Sequence, residues 1–158
     1  MKDSINSKMI PELLNILDNN LHLFSFRKDL IGLDNSVSNI KTLFDKDMTD
    51  NILQKIWQIF PKHWKFDVEE IQIQKYEDGG NIKIHREGHR INYLDMCVLK
   101  SNDKNGIYCY DSINQKWDYI KDEVGKIVRI TSDKYHCIPK VYGERYSIVF
   151  IRYNLQGE

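Results

Sequence analysis

Residues 76–87 read YEDGGNIKIHRE. A tyrosine and a pair of glycines precede an alternation, Ile82-Lys83-Ile84, that runs directly into His85-Arg86-Glu87. Apolar and polar residues at period two describe a half-buried strand, and Gly79-Gly80 supplies the turn before it. Residues i and i+2 of an extended chain share a face, so His85 and Glu87 enter one cavity if the strand continues through Arg86. The two side chains are potential metal ligands. A second histidine, His136, and an arginine, Arg145, follow downstream.

The same period-two pattern surrounds this stretch. Residues 71–73, 91–100, 106–110, 116–120, 126–131, 136–141 and 145–153 read as strands, mostly separated by turn clusters such as SNDKNG, DSINQ and SDK. Roughly eight short strands at such regular spacing indicate an antiparallel sandwich or barrel. The chain before Pro61 is different. Leu13, Leu14, Ile16 and Leu17 recur at helical spacing over residues 11–18, with Pro11 tolerated in a first turn. Thr49 is placed to cap a helix over residues 50–59, whose Ile52, Leu53, Ile56 and Phe60 form one face before Pro61 ends it. Residues 21–26 (LHLFSF) suggest a strand. Residues 36–45 are ambiguous, since Val37, Ile40, Leu43 and Phe44 fall on a helical stripe. The expected fold class is α+β in one domain, 1–158, with 1–62 a mainly helical support and 63–158 the β core. Trp57 and Trp64 are expected in or under that core.

Composition narrows the function classes. A length of 158 residues suits one domain with a real core. Hydrophobic residues make up 41% and charged residues 29%, and no apolar run reaches the roughly 18–20 residues of a membrane span. Lys plus Arg and Asp plus Glu both number 23, so no net field draws the chain to nucleic acid or an anionic membrane. The N-terminal stretch MKDSINSKMIPELL lacks the h-region of a secretory signal, and a cytoplasmic location is expected. Cys97, Cys109 and Cys137 form no CxxC pair and are odd in number, which predicts reduced thiols. Cys137 should point away from whatever His136 faces.

A lone HxE is a weak signal, and the wider spacing carries more. Residues 125–136 form a strand and turn that deliver His136, and Gly143 leads to Arg145-Tyr146-Ser147 on the apolar stretch SIVFIRY. With Tyr76, Gly79-Gly80 and His85-x-Glu87, these pieces resemble the 2-oxoglutarate/Fe(II)-dependent dioxygenases, and particularly their prolyl-4-hydroxylase-like branch. The likeness covers residues 69–153. It implies a double-stranded β-helix core of jelly-roll or cupin-like form, with N-terminal helices packed against it. It further implies Fe(II) held by His85, Glu87 and His136, and 2-oxoglutarate and O2 as cosubstrates. Arg145 would pair with the far carboxylate of 2-oxoglutarate and Ser147 would bond the same carboxylate. Tyr76 and Tyr93 match tyrosines that contact the cosubstrate, and each reads equally as an ordinary core tyrosine, since the chain has nine.

One departure stands out, because the commoner family motif is HxD and glutamate adds a methylene while keeping the charge and the donor oxygen. A retained carboxylate ligand argues against a halogenase and implies hydroxylation of a C–H bond. The resemblance leaves the primary substrate open among a protein side chain, an amino acid and another small molecule, with nucleic acid disfavoured by the neutral charge and no membrane partner expected. Two alternatives stay open: a non-catalytic binding module of the same fold, and a cupin-like metalloenzyme that does not use 2-oxoglutarate. His85 and His89 are four apart, but HREGH is not HExxH and Gly88 disfavours a helix. Arg86, His89 and Arg90 read as a solvated face or as a cavity mouth for an acidic substrate. His22 and His63 have no partner in the sequence pattern.

Overall fold

A computed structural model describes residues 5–26, 37–88 and 90–154. His89 and the start of the ambiguous 36–45 segment lie outside them. Among the described residues, two helices, α1 (Ile10–Asp18) and α2 (Asp50–Ile59), accompany nine strands. The strands are β1 (Ser25–Phe26), β2 (Val37–Phe44), β3 (Glu70–His85), β4 (Ile91–Lys100), β5 (Gly106–Asp111), β6 (Lys116–Lys121), β7 (Ile127–Thr131), β8 (His136–Ile138) and β9 (Arg145–Tyr153).

The sheet order is β6-β5-β8-β3-β9-β4-β7, with β2 also against β3 and β1 against β2. Every ladder between these strands is antiparallel. The sheet curls because β3 serves two walls. Its first half pairs with β9 from Glu70↔Ile151 to Tyr76↔Arg145, and its last residues pair with β8 at Ile82↔Ile138 and His85↔His136. The crossing falls at Gly79, whose φ of 84° lies where a side chain would be strained. Backbone bonds from Gly79 to Val141 (2.7 Å) and from Val141 to Gly80 (2.9 Å) pin it. One wall is therefore β2, β3, β9, β4 and β7, and the other is the end of β3 with β8, β5 and β6. The two apolar stretches that sequence periodicity separates, residues 71–73 and 82–84, belong to this one strand.

Two clusters of buried residues divide along β9. Tyr146, Ile148 and Phe150 pack with Ile71 and Ile73 against Leu13 and Leu17 of α1 and Ile52 and Ile56 of α2. Val149 and Ile151 pack with Ile82, Leu94, Met96, Ile107 and Ile138 between the walls. Phe150 anchors the first cluster, with ring centroids 4.8 Å from Phe60, 5.0 Å from Trp64 and 6.0 Å from Trp57. The Tyr146 hydroxyl donates to Asp18 Oδ1 at 2.6 Å and ties the end of α1 to the sheet. Thr49 Oγ1 accepts from the Ile52 N–H at 3.3 Å, a cap of about 1 kcal/mol.

Within the ambiguous 36–45 segment, residues 37–44 form the strand β2, with Ile40 facing the cluster between the walls and Leu43 facing the helices. Apolar residues on both faces of a strand reproduce an i, i+3 spacing, and a bulge at Asn39 (φ 53°) disturbs the alternation further. Residues 21–26 hold a 3-10 turn (Leu21–Leu23) and only the two-residue β1. Before Pro61 the strand β2 pairs with β3, so this part of the chain adds to the sheet as well as supplying helices. Among the described residues no helix is long and apolar enough to cross a membrane.

Replacing Phe150 by Ala should lower stability by about 3–5 kcal/mol in urea unfolding, the usual cost of deleting a buried aromatic ring. Burial pushes the Cys97 thiol up to about 12, and it raises Cys109 and Cys137 as well. At pH 8 the native protein should therefore react slowly with a thiol reagent at Cys97 and Cys109, and all three cysteines should react promptly in urea.

Candidate metal centre and cavity

His85 is the last residue of β3, and His136, the first of β8, is its register partner. Facing positions on adjacent strands bring the two rings to a centroid separation of 4.3 Å. Glu87 lies beyond the end of β3, so it reaches the histidines from the segment after the strand rather than from an extended strand. Its Oε2 stands 3.0 Å from His85 Nε2 and 3.1 Å from His136 Nε2. One potential ligand atom from each of the three residues falls within 4.8 Å of the others. His136 is buried, while His85 and Glu87 are partly exposed.

The backbone sets the direction of both rings. His85 Nδ1 lies 2.9 Å from the Lys83 carbonyl and His136 Nδ1 lies 3.0 Å from the Lys134 carbonyl. A carbonyl only accepts, so these contacts place the proton on Nδ1 and aim each Nε2 at Glu87. The lone pairs of two neutral Nε2 atoms and a carboxylate oxygen repel at 3 Å. A proton or a cation must lie among them. Burial pushes the Glu87 carboxyl up, but the hydrogen bonds and charge of His136 and His85 outweigh it and hold the group well below its usual range. The donor set, two imidazoles and one carboxylate, suits a first-row divalent ion such as Fe(II).

The triad opens onto a cavity of about 230 Å³ between the walls. Its apolar lining includes Ile82, Leu94, Met96, Ile138, Val149 and Ile151, and its polar lining includes Glu70, Gln72, Gln74 and Tyr153. The polar groups form a chain along one face of β3. Tyr76 Oη donates to Gln74 Oε1 (2.9 Å), Gln74 Nε2 to Gln72 Oε1 (3.3 Å), and Gln72 Nε2 to Glu70 Oε2. Glu70 Oε1 accepts from the Tyr153 hydroxyl at 2.7 Å.

Arg145 and Ser147 share the inner face of β9 with Val149 and Ile151 by strand alternation. Both are fully buried and neither lines the cavity. Arg145 is held by a residue that the sequence reading missed. Asp122 accepts from Nε at 2.7 Å and from Nη2 at 3.1 Å, and its own side chain is 2% exposed. Ser101 Oγ donates to the same carboxylate at 2.6 Å. The guanidinium also lies over the Tyr76 ring, 4.7 Å from its centroid, and its Nη2 is 3.9 Å from the sulfur of Met96, which does line the cavity. Burial alone would lower the Arg145 pKa, but Tyr76 and Asp122 reverse it, so the charge is retained. Among the described residues, Arg145 Nη1 and Ser147 Oγ are buried without a hydrogen-bond partner. The two donors lie two residues apart on one strand face, and a carboxylate is an acceptor that could satisfy both.

Tyr93 is not part of this arrangement. It lies on the face of β4 opposite Leu94 and Met96, with Arg129 4.1 Å and Arg152 5.0 Å from its ring centroid. Both arginines bind Asp95 from there, Arg129 Nε at 2.9 Å and Arg152 Nη1 at 2.8 Å. Tyr93, expected near a cosubstrate, therefore does not line the cavity that the triad opens onto. Arg86 lies over the Tyr135 ring at 5.4 Å, and neither it nor the exposed Arg90 lines the cavity. Cys137 does not line the cavity that His136 lines, and its register partner is Tyr108 on β5.

No family model matches the sequence, and no curated protein matches it. Solved structures do share the fold. A prolyl-4-hydroxylase from Pseudomonas putida superposes with a TM-score of 0.64 at 13% identity, covering 94% of this chain and 86% of that one. The viral collagen prolyl hydroxylase of Paramecium bursaria Chlorella virus-1 gives 0.60 at 16% identity, covering 94% and 91%. A non-haem α-ketoglutarate-dependent epimerase from nogalamycin biosynthesis gives 0.72 at 7% identity, covering 95% and 73%. At these identities the likeness establishes the fold, a jelly roll of the form that 2-oxoglutarate oxygenases use.

Co(II) should bind with a stoichiometry of one and give visible ligand-field bands. Changes around a metal's ligands cost about 10–100-fold in affinity, so replacing a ligand, as in His136→Ala or Glu87→Ala, should cost more than about 100-fold. Affinity should fall as pH is lowered, because ligands bind only when deprotonated.

Proposed function

We propose that the protein is an Fe(II)- and 2-oxoglutarate-dependent oxygenase that hydroxylates a C–H bond, akin to the prolyl-4-hydroxylase-like branch but with HxE in place of HxD. The observation that carries this reading is the joint occurrence, on one fold, of the convergent His85–Glu87–His136 triad and the orphaned donors of Arg145 and Ser147. His85, Glu87 and His136 would hold iron, and Arg145 with Ser147 would hold the far carboxylate of 2-oxoglutarate. When bound, iron, 2-oxoglutarate and O2 supply an oxidant that inserts one oxygen atom into a C–H bond, as the oxo acid becomes succinate and CO2.

The chain's own residues prepare that chemistry by orientation and exclusion of water. Lys83 and Lys134 carbonyls fix the ring tautomers, so that Nε2 of each histidine is available for ligation. Glu87 stays ionised despite its burial. The extra methylene of glutamate suits its position past the end of β3, from which a longer side chain reaches back to the strand-borne histidines. Asp122 and Tyr76 position Arg145, leaving Nη1 for an incoming carboxylate. Met96 lies between the cavity and the guanidinium, and a flexible thioether can swing aside to admit the cosubstrate. The isoleucine, leucine and valine walls exclude water around the reacting centre.

A second reading, a cupin-like metalloprotein that does not use 2-oxoglutarate, is favoured by one observation. Asp122 already satisfies the Nε and Nη2 edge of Arg145, which makes the pair neutral overall.

The two readings separate in a binding experiment. With Mn(II) present, 2-oxoglutarate should raise the melting temperature, and with Fe(II), O2 and a substrate the protein should form succinate. Ser147→Ala should weaken 2-oxoglutarate binding about fivefold, the loss of roughly one hydrogen bond. Arg145→Ala should abolish it but also strand Asp122, at a stability cost of about 3–5 kcal/mol. Metal binding with no response to 2-oxoglutarate would support the second reading.

A further inference from the structure

Glu70 is the carboxylate that the proposed chemistry does not use. It lines the same cavity as His85, Glu87 and His136, and among the described residues of that lining there is no lysine or arginine to neutralise it. It is also built into place, because Tyr153 bonds one of its oxygens and Gln72 the other. Each carboxylate oxygen accepts more than one hydrogen bond, so both retain capacity for a further donor.

The polar chain on β3 has a direction. Tyr76, Gln74 and Gln72 each donate to the next residue towards Glu70, with the amide orientations assigned by these partners. Its far end lies beside a cation, since Arg145 covers the Tyr76 ring. Six residues of extended strand separate Tyr76 from Glu70, about 20 Å at 3.3 Å per residue. The polar side of the cavity thus runs from Gln74, whose partner Tyr76 adjoins the Arg145–Asp122 pair, through Gln72 to a carboxylate at Glu70. The Arg145 end is left to the cosubstrate, and the Glu70 end to another molecule. The two positive charges of a metal ion are matched by Glu87 and by the carboxylate at the keto-acid end of 2-oxoglutarate, so Glu70 adds uncompensated negative charge. Asp45 lies close enough for the charge of Glu70 to act on it, and so adds to the acidity of that end.

We propose that the primary substrate is an aliphatic ammonium compound whose cationic end is bound by Glu70 and whose methylenes lie along the isoleucine, leucine and valine walls beside the triad. This rests on the oxygenase reading for its chemistry, but the recognition follows from the cavity alone. Tyr153 and Gln72 are the positioning residues that keep the Glu70 carboxylate turned inward. A partly buried carboxylate lining the cavity would oppose an acidic or phosphorylated substrate at the same place.

Isothermal titration of n-pentylamine, pentan-1-ol and pentanoate into the Mn(II)- and 2-oxoglutarate-loaded protein tests this, with Nα-acetyl-lysine amide as the chain-borne form of the same ammonium. Pentylamine should bind at least about tenfold more tightly than pentanol, and pentanoate more weakly than either. Binding of the lysine amide as well as pentylamine would assign a peptide side chain, and binding of pentylamine alone a free amine. Glu70→Gln, which keeps the size and the acceptor for Tyr153, should remove the preference and leave Mn(II) and 2-oxoglutarate affinities unchanged. Equal affinities for amine and alcohol, a preference that survives in Glu70→Gln, or no amine binding would overturn the proposal. The same titrations on metal-free protein decide it independently of Mn(II), so a failure to bind metal would count against the oxygenase reading alone.

Discussion

The cavity depends on β3 belonging to both walls at once. Its first half carries Glu70, Gln72, Gln74 and Tyr76 on one wall, and its last residue, His85, stands on the other. The left-handed backbone of Gly79 makes that crossing possible, and its bonds with Val141 tie the bend to the segment between β8 and β9. Gly143, with φ of 71°, turns the chain into β9 while its N–H donates to Asp78 at 2.7 Å. The strand that presents His85, the strand that presents His136 and the strand that presents Arg145 are thus held to one another at their turns as well as through their ladders.

Electrostatics then divides the interior. Arg145 and Asp122 form a buried pair at one end, stabilised by Ser101 and by the Tyr76 ring. At the other end the triad collects two imidazoles around one carboxylate oxygen, an arrangement that needs positive charge to hold together. Buried charges persist in proteins when they are paired or bind metal, and Arg145 with Asp122 is the first case. The separate cluster of Asp95, Arg129 and Arg152 lies on the outer face of the β4–β9 wall and locks β4, β7 and β9 together.

Much of this was legible in the sequence because it depends on local periodicity and spacing. Thr49 and Pro61 bracket α2, and the alternation before His85 marks the end of β3. The order of His85, Glu87, His136 and Arg145 was visible too, although only the folded register shows that the first three converge. What escaped was set by long-range pairing. Asp122 sits in a polar segment that resembles any other turn, and its role exists only because Arg145 arrives beside it from 23 residues away. Tyr93 could not be told from a cavity tyrosine, since the alternation of β4 does not say which face looks inward. β2 escaped because both of its faces are covered, so its apolar residues lack the period of two.

The central claim is that one site holds both a divalent iron and a 2-oxo acid. The most direct test is the visible spectrum of the anaerobic Fe(II) protein titrated with 2-oxoglutarate, because chelation of Fe(II) by a 2-oxo acid gives a charge-transfer band that neither component shows alone. The account predicts that the band appears at one equivalent of iron, saturates with 2-oxoglutarate, and is absent from His136→Ala. Stoichiometric Fe(II) binding with no new band at saturating 2-oxoglutarate would contradict it.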